Sequence, residues 1–265
     1  MVDKNKIIKT AMKAFETADF SSGLTYRAFS VAAKRLIEYG FKASDHQGRF
    51  GRDFKWQNTK RLAKHTADLN AAVEKIVEDL LSQIDEMAKK SAVENIGEVP
   101  ESDFDKEDYL GALLFSDTFK SRTRKHTEKL KQEVLDFIRV GQENKLPADK
   151  VFEIYLENIK EPQKHELIVE AIMSGYVTMS GMSALKSQSN LNVDMLVRGF
   201  YRANSHYFGK AEAFYVLAQQ DAYTCDICKD LHLRVFDIKE EVLPAHMRCR
   251  CIPVPLLKRK DFENI

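Results

Sequence analysis

All four cysteines of this 265-residue chain lie within its last 41 residues. With one histidine they form a single pattern: Cys225-x2-Cys228, a gap of 17 residues, then His246-x2-Cys249-x-Cys251. Thiols kept only for packing would not gather in this way. A Cys-x2-Cys or His-x2-Cys turn sets two soft ligands side by side, and four such N/S ligands suit tetrahedral Zn²⁺ in a structural role. The spacing predicts four ligands out of five: Cys225, Cys228 and His246, completed by Cys249 or by Cys251. If 249–251 is an extended strand, those two thiols face opposite ways and only one reaches the ion. Disulfides, or reduced thiols without metal, are the alternatives that spacing alone leaves open. A reducing compartment fits the low cysteine count. A module of about 35 residues buries too little apolar surface to fold by itself, so it needs either an ion or a helix to dock on.

Other chemistry fits the sequence poorly. His126-Thr127-Glu128 has the His-x-Glu form of a nucleobase deaminase, but it stands 99 positions before Cys225, and Thr224 occupies the place of the required proline. His165-Glu166 begins a metalloprotease pair, but Val169 stands where the second histidine belongs. His126 and His165 are therefore expected on helix surfaces. A four-ligand site has no open position for substrate, and the chain is not expected to be an enzyme.

Most of the remaining chain carries helical periodicity. From Thr59 to Ser91 apolar residues recur at Leu62, Leu69, Val73, Ile76, Leu80, Ile84 and Met87, one stripe of a long amphipathic helix. Residues 94–108 carry a net charge of −6 with Gly97 and Pro100 inside, which predicts a loop or linker. Helical pattern resumes near Tyr109 and runs past Ile138. Pro147 opens another helix with Val151, Ile154, Tyr155 and Ile159 on its apolar face, and Pro162 ends it before a further helix through Ile168 and Ile172. Asn190 and Asn192 predict a turn, and Val193–Gln220 one more helix. Strand-like pieces then follow at Leu233–Ile238 and Cys251–Val254. The expected fold is mainly α, a multi-helix body with long amphipathic helices and a small C-terminal α+β module. The expected division is a helical region over 1–160 and a C-terminal region over 161–265, with the Cys/His module at about 221–257.

Composition adds exclusions. Hydrophobic residues at 44% and charged residues at 31% exclude wholesale disorder, and 11 glycines with 6 prolines argue against loop-rich β architectures. A net charge of +1 supplies no global field for nucleic acid or membrane. The uncharged stretch Ala171–Leu185 is shorter than the roughly 18 residues of a span, so no membrane partner is expected. The start, MVDKNKIIKTAMKAF, lacks the apolar core of a secretory leader. Local charge is another matter: residues 27–64 carry a net +7 with six aromatics interleaved. Arg49, Arg52, Lys55, Lys60, Arg61 and Lys64 are its candidate DNA contacts. Seven phosphate contacts would give a salt slope of about −6. A second basic run, Lys120 to Lys131, could meet DNA, an acidic partner, or the chain's own 94–108 segment.

The C-terminal part resembles the phage Mu protein F-like family of minor head proteins, or phage head morphogenesis proteins. The likeness rests on Cys225-Asp226-Ile227-Cys228, then Leu231-His232-Leu233-Arg234-Val235-Phe236, then Pro244-Ala245-His246-Met247-Arg248-Cys249-Arg250-Cys251. Arg202, Ala203, Asn204, Gly209 and Ala211 fall where the family carries an Arg- and Asn-containing helix. The likeness covers about residues 165–257. His232-Leu233 replaces the family's Asp-Gly turn, and Met247 replaces its proline. The resemblance implies a structural minor head protein of a tailed phage or prophage, acting in head assembly at or near the portal, with a link to DNA packaging or ejection. It implies the portal protein as partner, with major capsid or scaffolding protein and genomic double-stranded DNA as further partners. The implied location is the virion, in the head interior or at the portal vertex, after assembly in the host cytoplasm. A zinc-knuckle DNA-binding protein outside a virion, or a head-carried effector enzyme, are the competing expectations.

Overall fold

The computed structural model describes residues 2–42, 60–114, 117–160, 184–222, 224–246 and 249–260. Among them are helices α1 (Lys4–Lys42), α2 (Lys60–Ile96), α3 (Lys106–Gly111), α4 (Phe119–Glu143), α5 (Ala148–Lys160), α6 (Ala184–Tyr207) and α7 (Asp226–Leu231). A two-stranded hairpin joins β1 (Leu113–Leu114) to β2 (Asp117–Thr118), and a three-stranded sheet holds β3 (Ala213–Leu217), β4 (Val235–Asp237) and β5 (Ile252–Leu256). This is the mainly α fold with a small C-terminal α+β module that the sequence predicts. The chain forms two compact units. The first is built from Met1–Ser22, Val77–Gly111 and Leu191–Ile265, the second from Gly23–Ile76 and Ala112–Asn190. Each unit is thus assembled from separate stretches of chain. The expected division at 160/161 lies at the edge of 161–183, outside the described residues, as do Pro162, His165 and the uncharged stretch up to 183.

In the first unit, Asp3 caps α1: its Oδ1 accepts from the N–H of Asn5 (3.1 Å) and Lys6 (3.3 Å). Ile7, Ala11, Ala14, Phe15 and Ala18 then form the buried face of α1, and Phe15 sits edge-on to Phe200 of α6 at 5.8 Å. From Leu191 to Val197 every residue of α6 is buried, which marks a central helix. A Cβ on Gly199 would stand 2.4 Å from Leu81 Cδ1, so glycine lets α2 and α6 approach at this point. Burial also explains why Asn190 and Asn192 do not turn the chain. Asn192 is fully buried inside α6, and tertiary packing outweighs its weak helix propensity.

The acidic break is shorter and better held than a linker. Gly97 ends α2 in the left-handed conformation (φ 80°), and α3 starts at Lys106. Between them Glu98 pairs with Lys210 and Asp103 with Lys89. The Phe104 N–H donates to Tyr207 Oη (3.0 Å), and Tyr207 donates to buried Asp85 (2.8 Å), which also takes Lys106 at 3.2 Å. In the basic run, Lys125 pairs with Asp117 and Lys131 with Glu128. Among the described residues, the ion pairs of both segments are thus made with other groups of the same unit.

In the second unit the predicted stripe of α2 appears as buried Leu69 and Val73, joined by Thr66. On α4, Thr123, Thr127, Leu130, Val134, Phe137 and Ile138 are buried, and Phe137 meets Tyr155 of α5 edge-on at 5.3 Å. The helical pattern expected from Tyr109 past Ile138 is in fact α3, the β1–β2 hairpin and α4.

The last helix expected from the sequence, Val193–Gln220, stops at Tyr207. Residues 213–217 instead form the central strand, antiparallel to β4 (Phe214↔Phe236) and to β5 (Tyr215↔Val254). A strand covered on both faces reads as a continuous apolar run, which periodicity cannot tell from a buried helix. The Cys/His module therefore begins at β3, ahead of the expected 221. Pro253 and Pro255, which have no N–H to give, stand on edge strand β5.

Candidate metal centre

The first ligand turn is a helix start. Cys225 is the N-cap of α7, with extended backbone (φ −72°, ψ 164°), and its Sγ accepts from the Cys228 N–H at 3.5 Å. The three-residue step places both thiols on one side of that turn. The second ligand turn is closed by the Cys249 N–H donating to the His246 carbonyl at 3.2 Å. His246 Nε2 lies 3.2 Å from Cys225 Sγ and 3.0 Å from Cys228 Sγ. Cys228 Sγ is 3.9 Å from Cys249 Sγ.

Among the described residues two groups could hold a metal ion: Cys225, Cys228 and His246, and Cys228, Cys249 and Cys251. In each group the ligand atoms all lie within 4.8 Å of one another. Cys228 belongs to both, so all five expected ligands converge on one thiol. Thiolates at ~2.3 Å from one tetrahedral ion stand about 3.8 Å apart, and a thiolate and an imidazole nitrogen about 3.6 Å. The sulfur pair matches this spacing, and the two sulfur–nitrogen distances require only a slight opening. The residues fit a metal ion, and a single tetrahedral ion would use four of them.

The expectation that Cys249 and Cys251 point apart is not met. Residues 249–251 precede β5 and belong to no strand, and both thiols reach Cys228. Both are buried, as is Cys228, while Cys225 is partly exposed. All four cysteines are free thiols. The hydrogen bond from Cys251 holds Cys249 well below the usual thiol range, while burial pushes Cys228 up. Cys251 is raised because its proton is shared with the Cys249 sulfur. Loading an ion would release these protons.

Supports surround the ligands. Buried Tyr201 of α6 donates its hydroxyl to the carbonyl of Cys251 and lies 3.4 Å from that of Cys249. Arg250 forks onto both oxygens of Asp221 (3.0 and 2.8 Å), tying the second ligand segment to the approach of the first. Phe214, Val216 and Ala218 supply the apolar floor. Sequence reasoning did not find Tyr201, because the carbonyls that it bonds lie some 50 residues farther along the chain.

The turn after α7 is informative. Leu233 has φ 59°, the left-handed region that disfavours a branched side chain, and His232 Nδ1 accepts from the Ala218 N–H at 3.1 Å.

The other candidate residues stand elsewhere. Arg49, Arg52 and Lys55 lie outside the described residues. Lys60 and Arg61 open α2, with side chains outside the description, and Lys64 is exposed on α2 in the second unit. His126 is not a surface residue: it is half-buried, with Nδ1 3.0 Å from Gln188 Oε1, and burial lowers its pKa. No helix among the described residues is long and apolar enough to cross a membrane.

Comparison with protein families, with curated proteins and with solved structures gives no match for this chain. What identifies the site is its own ligand set: a C-terminal Cys/His cluster that can bind a metal ion.

Proposed function

We propose that this chain is a structural minor head protein of a tailed phage or prophage, placed at or near the portal, and that one Zn²⁺ closes its C-terminal module. The observation that carries the reading is the convergence of Cys225, Cys228, His246, Cys249 and Cys251, in the order and spacing of Mu F-like proteins. The left-handed backbone at Leu233 supports it, since the resemblance puts glycine at this position and glycine is the residue that such a φ favours. Sulfur ligands select zinc over magnesium or calcium. With four protein ligands the ion has no site for substrate, which fits a structural part. The docked Tyr201 then joins the metal module to the helix that enters it.

In this reading the portal is the principal partner, and the 27–64 basic window meets packaged double-stranded DNA. The test is to purify particles from the host that carries this gene and to probe them, and an affinity-purified portal, for the chain. Stable presence in particles with portal co-purification is expected. Particles that lack the chain, with the soluble protein ignoring the portal, would overturn the proposal.

A further inference from the structure

Five soft ligands meet at the metal centre, one more than a tetrahedral ion takes. Among the described residues, the ligand atoms that lie mutually within 4.8 Å come as two triads. Cys225, Cys228 and His246 make one, and Cys228, Cys249 and Cys251 the other. A single Zn²⁺ completes the first triad with one sulfur of the second and leaves the fifth thiol without metal. That spare thiol is Cys249 or Cys251, and both are buried in the cluster floored by Phe214, Val216 and Ala218. The triads also differ. The first includes a nitrogen and the partly exposed Cys225, whereas the second is made of three buried sulfurs.

Soft sulfur ligands select monovalent copper as well as zinc. Cu⁺ has a filled d shell and is satisfied by three soft ligands in a plane, and a thiolate sulfur has lone pairs enough to join two such ions. Two trigonal ions that share one sulfur need five ligands, in two triads with one member in common. That is the arrangement here, and Cys228 is the common member. With metal–sulfur bonds of ~2.3 Å, the sulfurs of a trigonal site stand about 4.0 Å apart, and Cys228 Sγ lies 3.9 Å from Cys249 Sγ. A tetrahedral ion would accept this edge too; the number of ligands and the shared thiol separate the two cases. We propose that the cluster is also a two-ion copper(I) site. One Cu⁺ is held by Cys225, Cys228 and His246, the other by Cys228, Cys249 and Cys251, with the Cys228 thiolate as the bridge. The exchange balances: two Cu⁺ enter, and one Zn²⁺ and the proton of the fifth thiol leave. All four thiols are free to bind, and no oxidation state changes. The inference rests on reading this cluster as a metal centre and is independent of the viral setting.

The test keeps the full chain under nitrogen, supplies zinc and then copper(I) buffered by bicinchoninate, and counts bound metals by native mass spectrometry. The wild type is expected to lose its zinc and to gain two coppers as the main loaded species. The one-copper form should be sparse, because the bridge couples the two sites. X-ray absorption at the copper edge should show three-coordinate, sulfur-rich copper with a copper–copper shell. The variant to compare is whichever of Cys249→Ser and Cys251→Ser retains zinc, since retained zinc shows that its module is folded. It breaks the second triad and is expected to take half the copper, one ion in place of two, and to lose the copper–copper shell. A wild type that saturates at one copper, two coppers without a copper–copper shell, or a zinc-retaining variant that still takes two would each overturn the proposal. A wild type that binds no zinc but takes two bridged coppers would support it and overturn the zinc reading of the site instead.

Discussion

In the C-terminal module, Cys228, Cys249 and Cys251 are buried with few good donors among them, whereas in the second unit every member of a buried polar layer has a strong partner. There Thr127 bonds Asn70 and the Thr123 carbonyl (2.7 Å). Gln188 donates to Thr123 Oγ1 at 3.3 Å and meets His126 at 3.0 Å. The helical layer is bonded without any ion, because hydroxyl and amide groups are good donors and acceptors. Thiols are weak donors and weak acceptors but good ligands for a soft ion, so the sulfur cluster can bind a metal where the helical layer cannot. A buried polar group alone is therefore no sign of a site; the chemistry of its neighbours decides.

The largest effect that sharpens this contrast is expected at Cys228, the thiol common to both ligand groups. Structural zinc contributes about 10–16 kcal/mol in small metal-folded peptides. Cys228→Ser should release the ion and unfold the module, seen as lost metal content and as denaturant unfolding that no longer responds to a chelator. A wild-type protein whose stability ignores a chelator would break the comparison. Of Cys249→Ser and Cys251→Ser, one should release the ion and the other keep it.

In the second unit the expected loss is smaller and independent of metal. Gln188→Leu leaves His126 and Thr123 without their partner and should cost about 1–3 kcal/mol, with metal content unchanged. If metal content fell as well, the two regions would not be separate.

A third test uses pH. Burial raises Glu133 from its ordinary range to about 7, against the opposing hydrogen bond from the Ala184 N–H (2.8 Å). The folded protein therefore holds this proton more tightly than the unfolded chain. Its contribution is fully present below the unfolded pKa and is lost as pH rises through about 7. Glu133→Gln should flatten the loss of Tm between those limits and stabilise the protein above them by about 1–3 kcal/mol. An unchanged pH profile of Tm would assign the slope to other groups.

The smallest effect concerns the turn between the ligand segments. Leu233→Gly removes a left-handed strain of ~1–2 kcal/mol but frees the unfolded chain, so a net gain of about 0.5–1 kcal/mol is expected from chemical denaturation. A loss would mean that the leucine side chain, 43% exposed, contributes more packing than its exposure implies.

Much of this could be read before any coordinates. The stripe of α2 showed because an amphipathic helix repeats its buried residues at a fixed step, and α5 showed because Pro147 and its apolar residues fit a helix start. β3 did not, since burial on both faces erases the alternation that marks a strand. The turn at 94–108 was legible from charge and Gly97, yet its partner Tyr207 lies far away in sequence.

What the sequence determined by itself is the set of soft ligands and their grouping into two turns, because spacing along a chain dictates which groups can share a local bend. Tertiary structure alone decided that both Cys249 and Cys251 reach Cys228 and that Tyr201 holds their carbonyls. Those facts depend on which distant segments pack together, and packing is settled by the burial of whole faces rather than by any short run of residues.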